Sequence, residues 1–232
     1  MKPLSHITES TKSAFLFAMA AVVGLALLYT VVEPQITHSQ TTETFTIKTQ
    51  VTGESSFLVP PSDITMVGTL NGLTGGSATG STQFVVQSNS ATGYTVEISF
   101  ENNGTDNAML GDATGDEAIH DYGGDVAGEP SFGITASTSA QFAYTATSTV
   151  LSDTPQSFRE NAGTCNDAGG TAVGTCWKSP ETTDFLVASR SSPASGGATS
   201  TILFNVTVPN NPSPIPAAEG YTATATLSLI SI

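Results

Sequence analysis

The chain has 232 residues, of which 38% are apolar and only 11% charged, enough hydrophobic mass for one large or two small cores. Its polarity comes from Thr, Ser, Asn and Gly, the mixture of exported β-rich proteins rather than of cytosolic helical ones. Twenty Asp and Glu against six Lys and Arg give a net charge of −14, which argues against binding nucleic-acid phosphate or an anionic bilayer surface and leaves divalent cations and basic partners open.

The first element is an uncharged run, SAFLFAMAAVVGLALLYTVV, over residues 13–32. At 1.5 Å per residue it is long enough to cross a hydrocarbon core of roughly 30 Å. Lys2 and Lys12 precede it and acidic residues dominate the remainder of the chain, so the positive-inside rule predicts a cytoplasmic stub over 1–12, a transmembrane or signal-anchor helix over 13–32, a linker over 33–43 and an extracytoplasmic domain over 44–232. The alternative is a cleaved signal with its cut after THS, before Gln40, although a cleaved signal has a shorter apolar region of about 7–15 residues.

Beyond the linker the hydrophobic period is 2. In TFTIKTQV, residues 44–51, Phe45, Ile47 and Val51 fall on one face and Thr46, Lys48 and Gln50 on the other, which predicts a half-buried strand. In GYTVEISFE the alternation places Tyr94, Val96, Ile98 and Phe100 toward a core and Thr95, Glu97, Ser99 and Glu101 toward solvent. Further strands are expected over 56–59, 64–67, 82–87, 132–136, 141–147, 185–188, 201–208 and 221–230. They are separated by Gly, Pro, Asn and Ser in the positions turns require. With no sustained helical stripe after residue 44, the predicted fold is all-β, an antiparallel immunoglobulin-like β-sandwich, with a barrel as the second choice.

Two stretches, GSTQFVVQSNSATGYTVEIS and TSTILFNVTVPNNPSPIPAAEGYTATATLSL, share the order strand, Asn-containing turn, Gly-Tyr-Thr, strand. The preferred reading is two hairpins built with the same chemistry rather than two domains, the second stiffened by prolines between Pro209 and Pro216.

Cys165 and Cys176 are the only cysteines, eleven residues apart in a polar, Gly-rich segment. Outside the cytoplasm they are expected to pair, closing a loop worth roughly 2–3 kcal/mol in the chain-entropy account. With no histidine beside them they lack a zinc ligand set, and the spacing is not C-x-x-C. Trp177 is expected to pack over the bridge, with ligand stacking as its alternative role.

Between Glu101 and Glu129 lie eight carboxylates and no Lys or Arg. Carboxylates separated by glycines are what calcium coordination uses, so Asp106, Asp112, Asp116, Glu117, Asp121 and Asp125 are the candidate calcium ligands. No EF-hand order is present, His120 suits a transition metal better, and a solvated loop is the plainer reading. A catalytic role finds little footing. His120 is the single histidine beyond the N-terminal segment, no G-x-S-x-G elbow occurs, and the chain has too few aromatics for a sugar cleft. NGLTGGSATGST lacks a P-loop lysine. N-x-[ST] matches at Asn103 and Asn205 matter only where such sites are glycosylated.

The N-terminal apolar run, SNSATGYTVEIS, the Cys loop ending TCW and the final EGYTATATLSL together resemble exported or anchored bacterial surface β-sandwich proteins, and more distantly the last strands of pilus- and adhesin-type domains. The resemblance implies a surface structural or adhesive role without catalytic residues, held to the membrane through 13–32. The terminal strand, with no charge after Glu219, is the expected edge for self-association. The alternative is a calcium-dependent module binding a surface glycan or protein through the loops.

Overall fold

The computed structural model describes residues 9–32, 44–102, 107–136 and 138–232. Chain contacts divide it into two units, Met1–Thr49 and Gln50–Ile232.

In the first unit, α1 (Glu9–Val32) takes up the apolar run as a helix of 24 residues. Its side chains are described for residues 13–28, all exposed, a length of about 24 Å at the helical rise. Among the described residues no helix is long and apolar enough to cross a membrane, so the spanning anchor expected over 13–32 is not met there. The linker expected over 33–43 lies outside the described residues.

The second unit is all-β. Its strands are β1 (Ser55–Val59), β2 (Val67–Asn71), β3 (Gly75–Ser88), β4 (Tyr94–Phe100), β5 (Leu110–Gly111), β6 (Ile119–Asp121), β7 (Ser131–Phe132) and β8 (Ala140–Ser148). They continue as β9 (Arg159–Asn161), β10 (Thr164–Cys165), β11 (Ala172–Val173), β12 (Cys176–Trp177), β13 (Phe185–Arg190), β14 (Ala194–Val208), β15 (Tyr221–Thr222) and β16 (Ala225–Ser231). The large sheet runs β1-β3-β14-β8-β6 with β2 also on β3, and a three-stranded sheet runs β13-β4-β16.

These two sheets bury against one core. Tyr94, Val96, Ile98 and Phe100 of β4 are all buried, on the face the alternation predicts. They meet Phe84 and Val86 of β3, Phe142, Tyr144 and Ala146 of β8, and Ile202, Phe204 and Val206 of β14. Phe100 joins the layers: its ring centroid lies 6.0 Å from Phe142, 5.3 Å from Tyr144 and 6.4 Å from Phe204. Two of these contacts are edge-to-face, a favoured aromatic geometry.

Several expected elements take a different form. Residues 44–51 form no strand; a period-2 segment needs a neighbour to complete its ladder, and among the described residues none pairs with it. Residues 64–66 are irregular, yet Ile64 and Met66 still reach the core. The glycine-rich run NGLTGGSATGST holds the turn of the β2–β3 hairpin and the first half of β3, whose ladder with β14 reaches Gly76 and whose first residue, Gly75, pairs with Asn71 of β2. The stretch 132–136 keeps only β7, and 221–230 breaks into β15 and β16, which join different sheets. One pair, β6 with β8, is parallel.

The two Gly-Tyr-Thr stretches are not hairpins. Each carries the chain from the large sheet to the small one, β3 to β4 and β14 to β16, and both parts lie antiparallel to their counterparts. Gly93 takes the first of these corners at φ +86, where a Cβ would come within 1.8 Å of the Arg190 carbonyl oxygen.

Candidate functional site

Among its described residues, the acidic segment folds into turns around β5 and β6, and several of its carboxylates accept hydrogen bonds from the chain. Asp116 accepts the Tyr221 hydroxyl at 2.7 Å and the Ala217 and Ala118 N–H groups at 3.0 Å each. These donors, the tyrosine first, hold its carboxyl below the usual carboxylate range. Glu117 accepts from the Asn107 amide at 3.2 Å. Asp121 accepts the Ala108 N–H at 3.0 Å, and burial raises its pKa from 3.8 to about 6. Asp112 is exposed and Asp106 lies outside the described residues. Glu219, from the far end of the chain, accepts the Thr114 N–H at 3.1 Å and contacts the Thr114 hydroxyl, closing the turn. Asp116, Glu117 and Asp121 thus each have partners of their own, and among the described residues no three His, Cys, Asp or Glu gather to hold a metal ion. His120 sits in β6 with no such company.

The cysteines are joined, their Cα atoms 5.8 Å apart. Cys165 ends β10, which pairs β9, while Cys176 opens β12, which pairs β7. The bridge thereby ties two of the small peripheral sheets together. Trp177 is only 9% exposed and packs with Tyr122 and Ala143, with Leu203 and Ile134 against them. Its ring covers the outer face of β8 and β14, which leaves no open ring face of the kind ligand stacking requires.

The residue after Trp177 is one that sequence patterning did not single out. Lys178 pairs with Tyr144 in an isolated antiparallel bridge, its N–H donating to the Tyr144 carbonyl at 2.8 Å and its carbonyl receiving the Tyr144 N–H at 3.0 Å. Residues opposed in this way share a face of the sheet. Trp177 therefore points outward with Ala143, and Lys178 points inward with Tyr144. Its side chain is 0% exposed.

Three groups surround that ammonium. Asp125, in the loop after β6, accepts from Nζ at 2.7 Å through Oδ2. Glu181, three residues downstream, contacts Nζ through Oε1. The Phe185 ring lies beneath, 5.0 Å from Nζ to its centroid. Asp125 is further held by the Ser179 N–H, which reaches Oδ1 at 3.1 Å and Oδ2 at 3.2 Å. Aromatic rings wall the site: Phe158 stands 6.0 Å from Tyr144 and 5.7 Å from Phe185. In this dry setting burial pushes the Asp125 carboxyl above its ordinary value even though Lys178 and Ser179 oppose the shift. The Tyr144 hydroxyl is pushed up by burial and then by the Glu181 and Asp125 carboxylates. A signal was present in the sequence: TCWKSPE carries a lysine in period-2 step with a cysteine, in a chain with very few cations.

The last geometric element is an edge. β16 pairs only with β4, and among the described residues no backbone hydrogen bond joins its outer side to another strand. Leu227 and Leu229, on its inner face, are only half-buried while they touch the core, and Ile230 is exposed. Its end is fixed: the Ser90 hydroxyl donates to the Ile232 carbonyl at 2.6 Å, and the Ile232 N–H to the Gly93 carbonyl at 3.1 Å. No known protein family, curated protein or solved structure matches this chain.

Proposed function

We propose that this protein is a non-catalytic cell-surface structural or adhesive subunit whose β unit, an immunoglobulin-type sandwich, assembles with copies of itself by strand addition at β16. Export and anchoring through residues 13–32 are part of the reading. Their support is the uncharged run itself, the acidic excess after it, and a disulfide of the kind that persists outside the cytoplasm. The absence of a catalytic role is supported by the single histidine, His120, in the β unit.

The observation that carries the assembly reading is the open outer side of β16, a strand without a charged residue along it. Natural edges are ordinarily blunted by charge, proline or a bulge. The occupant is the segment 44–51 of a second copy. Phe45, Ile47 and Val51 of that segment are 84%, 83% and 79% exposed, and they alternate as a strand does while no described strand pairs with them. Laid beside β16, the segment gains a ladder and lends apolar side chains to the half-buried Leu227 and Leu229.

Residues 50–232 form a compact unit with a core of their own, so the test uses residues 40–232 in light scattering and negative-stain imaging. Ordered oligomers or fibres are expected, and a Phe45→Asp, Ile47→Asp double variant is expected to remain monomeric with an unchanged melting temperature. A wild-type chain that stays monodisperse at every concentration overturns the assembly reading.

A further inference from the structure

We propose that Lys178 and Asp125 condense into an intramolecular amide, with Glu181 as the proton carrier, so that the β unit holds a second covalent cross-link besides Cys165–Cys176. The inference stands on the buried triad alone and does not depend on strand addition at β16.

The chemistry needs four things at one point, and the structure supplies each. The nucleophile is Nζ of Lys178, a side chain without solvent exposure, held 2.7 Å from Asp125 Oδ2. Hydrogen-bonded to the carboxyl it attacks, the amine is already held beside Cγ, so little of the entropy of bringing the two groups together remains to be lost. The electrophile is Cγ of Asp125. The Ser179 N–H, 3.1 Å from Oδ1, stands where negative charge collects on the carboxyl oxygen during attack, the geometry of an oxyanion donor. Glu181 Oε1 contacts Nζ and so receives its proton directly.

The step balances without an oxidant or co-reactant. The ammonium gives up a proton within the triad, leaving a free amine beside a protonated Asp125 carboxyl. Nζ bonds to Cγ, and the oxyanion is held by Ser179. Glu181 takes the remaining surplus proton from nitrogen and returns it to the departing hydroxyl. The Cγ–O bond breaks, and one ammonium and one carboxylate have become one amide and one water. Net charge is unchanged.

The surroundings favour that outcome. An ion pair kept out of water has a large desolvation cost, which a neutral amide does not. The Phe185 ring lies 5.0 Å from Nζ, and the side chains of the two reacting residues, Lys178 and Asp125, are only 0% and 12% exposed. Burial, which pushes the Asp125 carboxyl up, favours the protonated form that attack requires. Glu181, with 39% of its side chain exposed, opens a way out for the water. The product joins positions 53 residues apart, tying the loop after β6 to the segment after β12.

The test is mass spectrometry of the full chain after reduction of the disulfide. The expected result is a chain one water lighter than its sequence mass, resistant to trypsin after Lys178, and yielding on digestion a branched peptide that joins the Asp125 and Lys178 segments. Lys178→Arg and Asp125→Ala are expected at full mass. Glu181→Gln keeps both reacting groups and is expected to cross-link at least ~100-fold more slowly, the usual scale for losing a proton carrier. A wild-type chain that melts cooperatively yet has its full mass and a tryptic cut after Lys178 overturns the cross-link. Glu181→Gln linking at the wild-type rate overturns the role of Glu181.

Discussion

Arg190 at the end of β13 donates through Nη1 to Asp153 Oδ2 at 2.9 Å, and that carboxylate is almost fully buried in the 3-10 turn after β8. The pair ties the large sheet to the small one at the end of the core where Tyr94 lies. Burial raises the Tyr94 hydroxyl to about 12, the Asp153 charge adds to the rise and Arg190 opposes it. Arg190→Ala leaves a buried carboxylate without its cation. Complete loss of a buried partner costs about 3–5 kcal/mol. Because Arg190 is partly exposed, we expect about 2 kcal/mol in urea unfolding, and a smaller loss when Asp153→Asn is added to it.

Asp121 sets a pH dependence of stability. Its carboxyl titrates near 6 in the fold because it is buried, against 3.8 ordinarily. Between those values the folded chain holds a proton that the unfolded chain has released, so stability falls as pH rises from about 4 to 6 and is level above that. Two units correspond to at most about 3 kcal/mol, and partial exposure reduces this to ~1–2 kcal/mol. Asp121→Asn keeps an acceptor for the Ala108 N–H and removes the charge. The variant is therefore expected to melt higher than wild type at pH 7 and to lose the decline between pH 4 and 6. A wild-type melting temperature that climbs over this range contradicts the assignment.

Tyr221 and Asp116 give a second titration test. The tyrosine hydroxyl is the leading cause of the low Asp116 pKa, and it is itself raised by burial and then by that same carboxylate. In Tyr221→Phe the Asp116 carboxyl should titrate closer to the ordinary range, read from side-chain carboxyl shifts by NMR. The Ala217 and Ala118 N–H groups remain as donors, so part of the depression should survive.

Reduction of Cys165–Cys176 releases the constraint on an 11-residue separation. The chain-entropy account gives roughly 2–3 kcal/mol. The expected readout is a lower melting temperature with reductant, together with faster hydrogen exchange confined to β9–β12, because the main core of β3, β4, β8 and β14 does not include the bridge.

Local pattern told most where a residue's alternation and its neighbours agreed. β4 was legible to the residue: Tyr94, Val96, Ile98 and Phe100 point inward because a strand facing water on one side must alternate. The identical signal at 44–51 gave no strand, since the ladder that stabilises a strand comes from another segment. β5, β7 and β9–β12 carry two or three residues each, too few for any period to be counted. β3 reads through three glycines and small polar residues, and only twelve rungs of pairing with β14 account for its length.

The candidate sites divide in the same way. The expectation of export, with the absence of a neighbouring histidine, made the Cys165–Cys176 pairing legible. The acidic segment could be seen as a cluster in sequence, but turns separate its carboxylates in space: Asp116 faces Tyr221, Glu117 faces Asn107 and Asp125 faces Lys178. Composition and period, which act through neighbours along the chain, determined by themselves an all-β unit and an inward face on β4. Tertiary structure alone decided that Lys178 enters the core between Asp125 and Glu181, and that β16 is left at an edge. Both depend on pairings between distant segments, where a buried charge must find its partner across the fold and a strand's neighbours are chosen by the sheet.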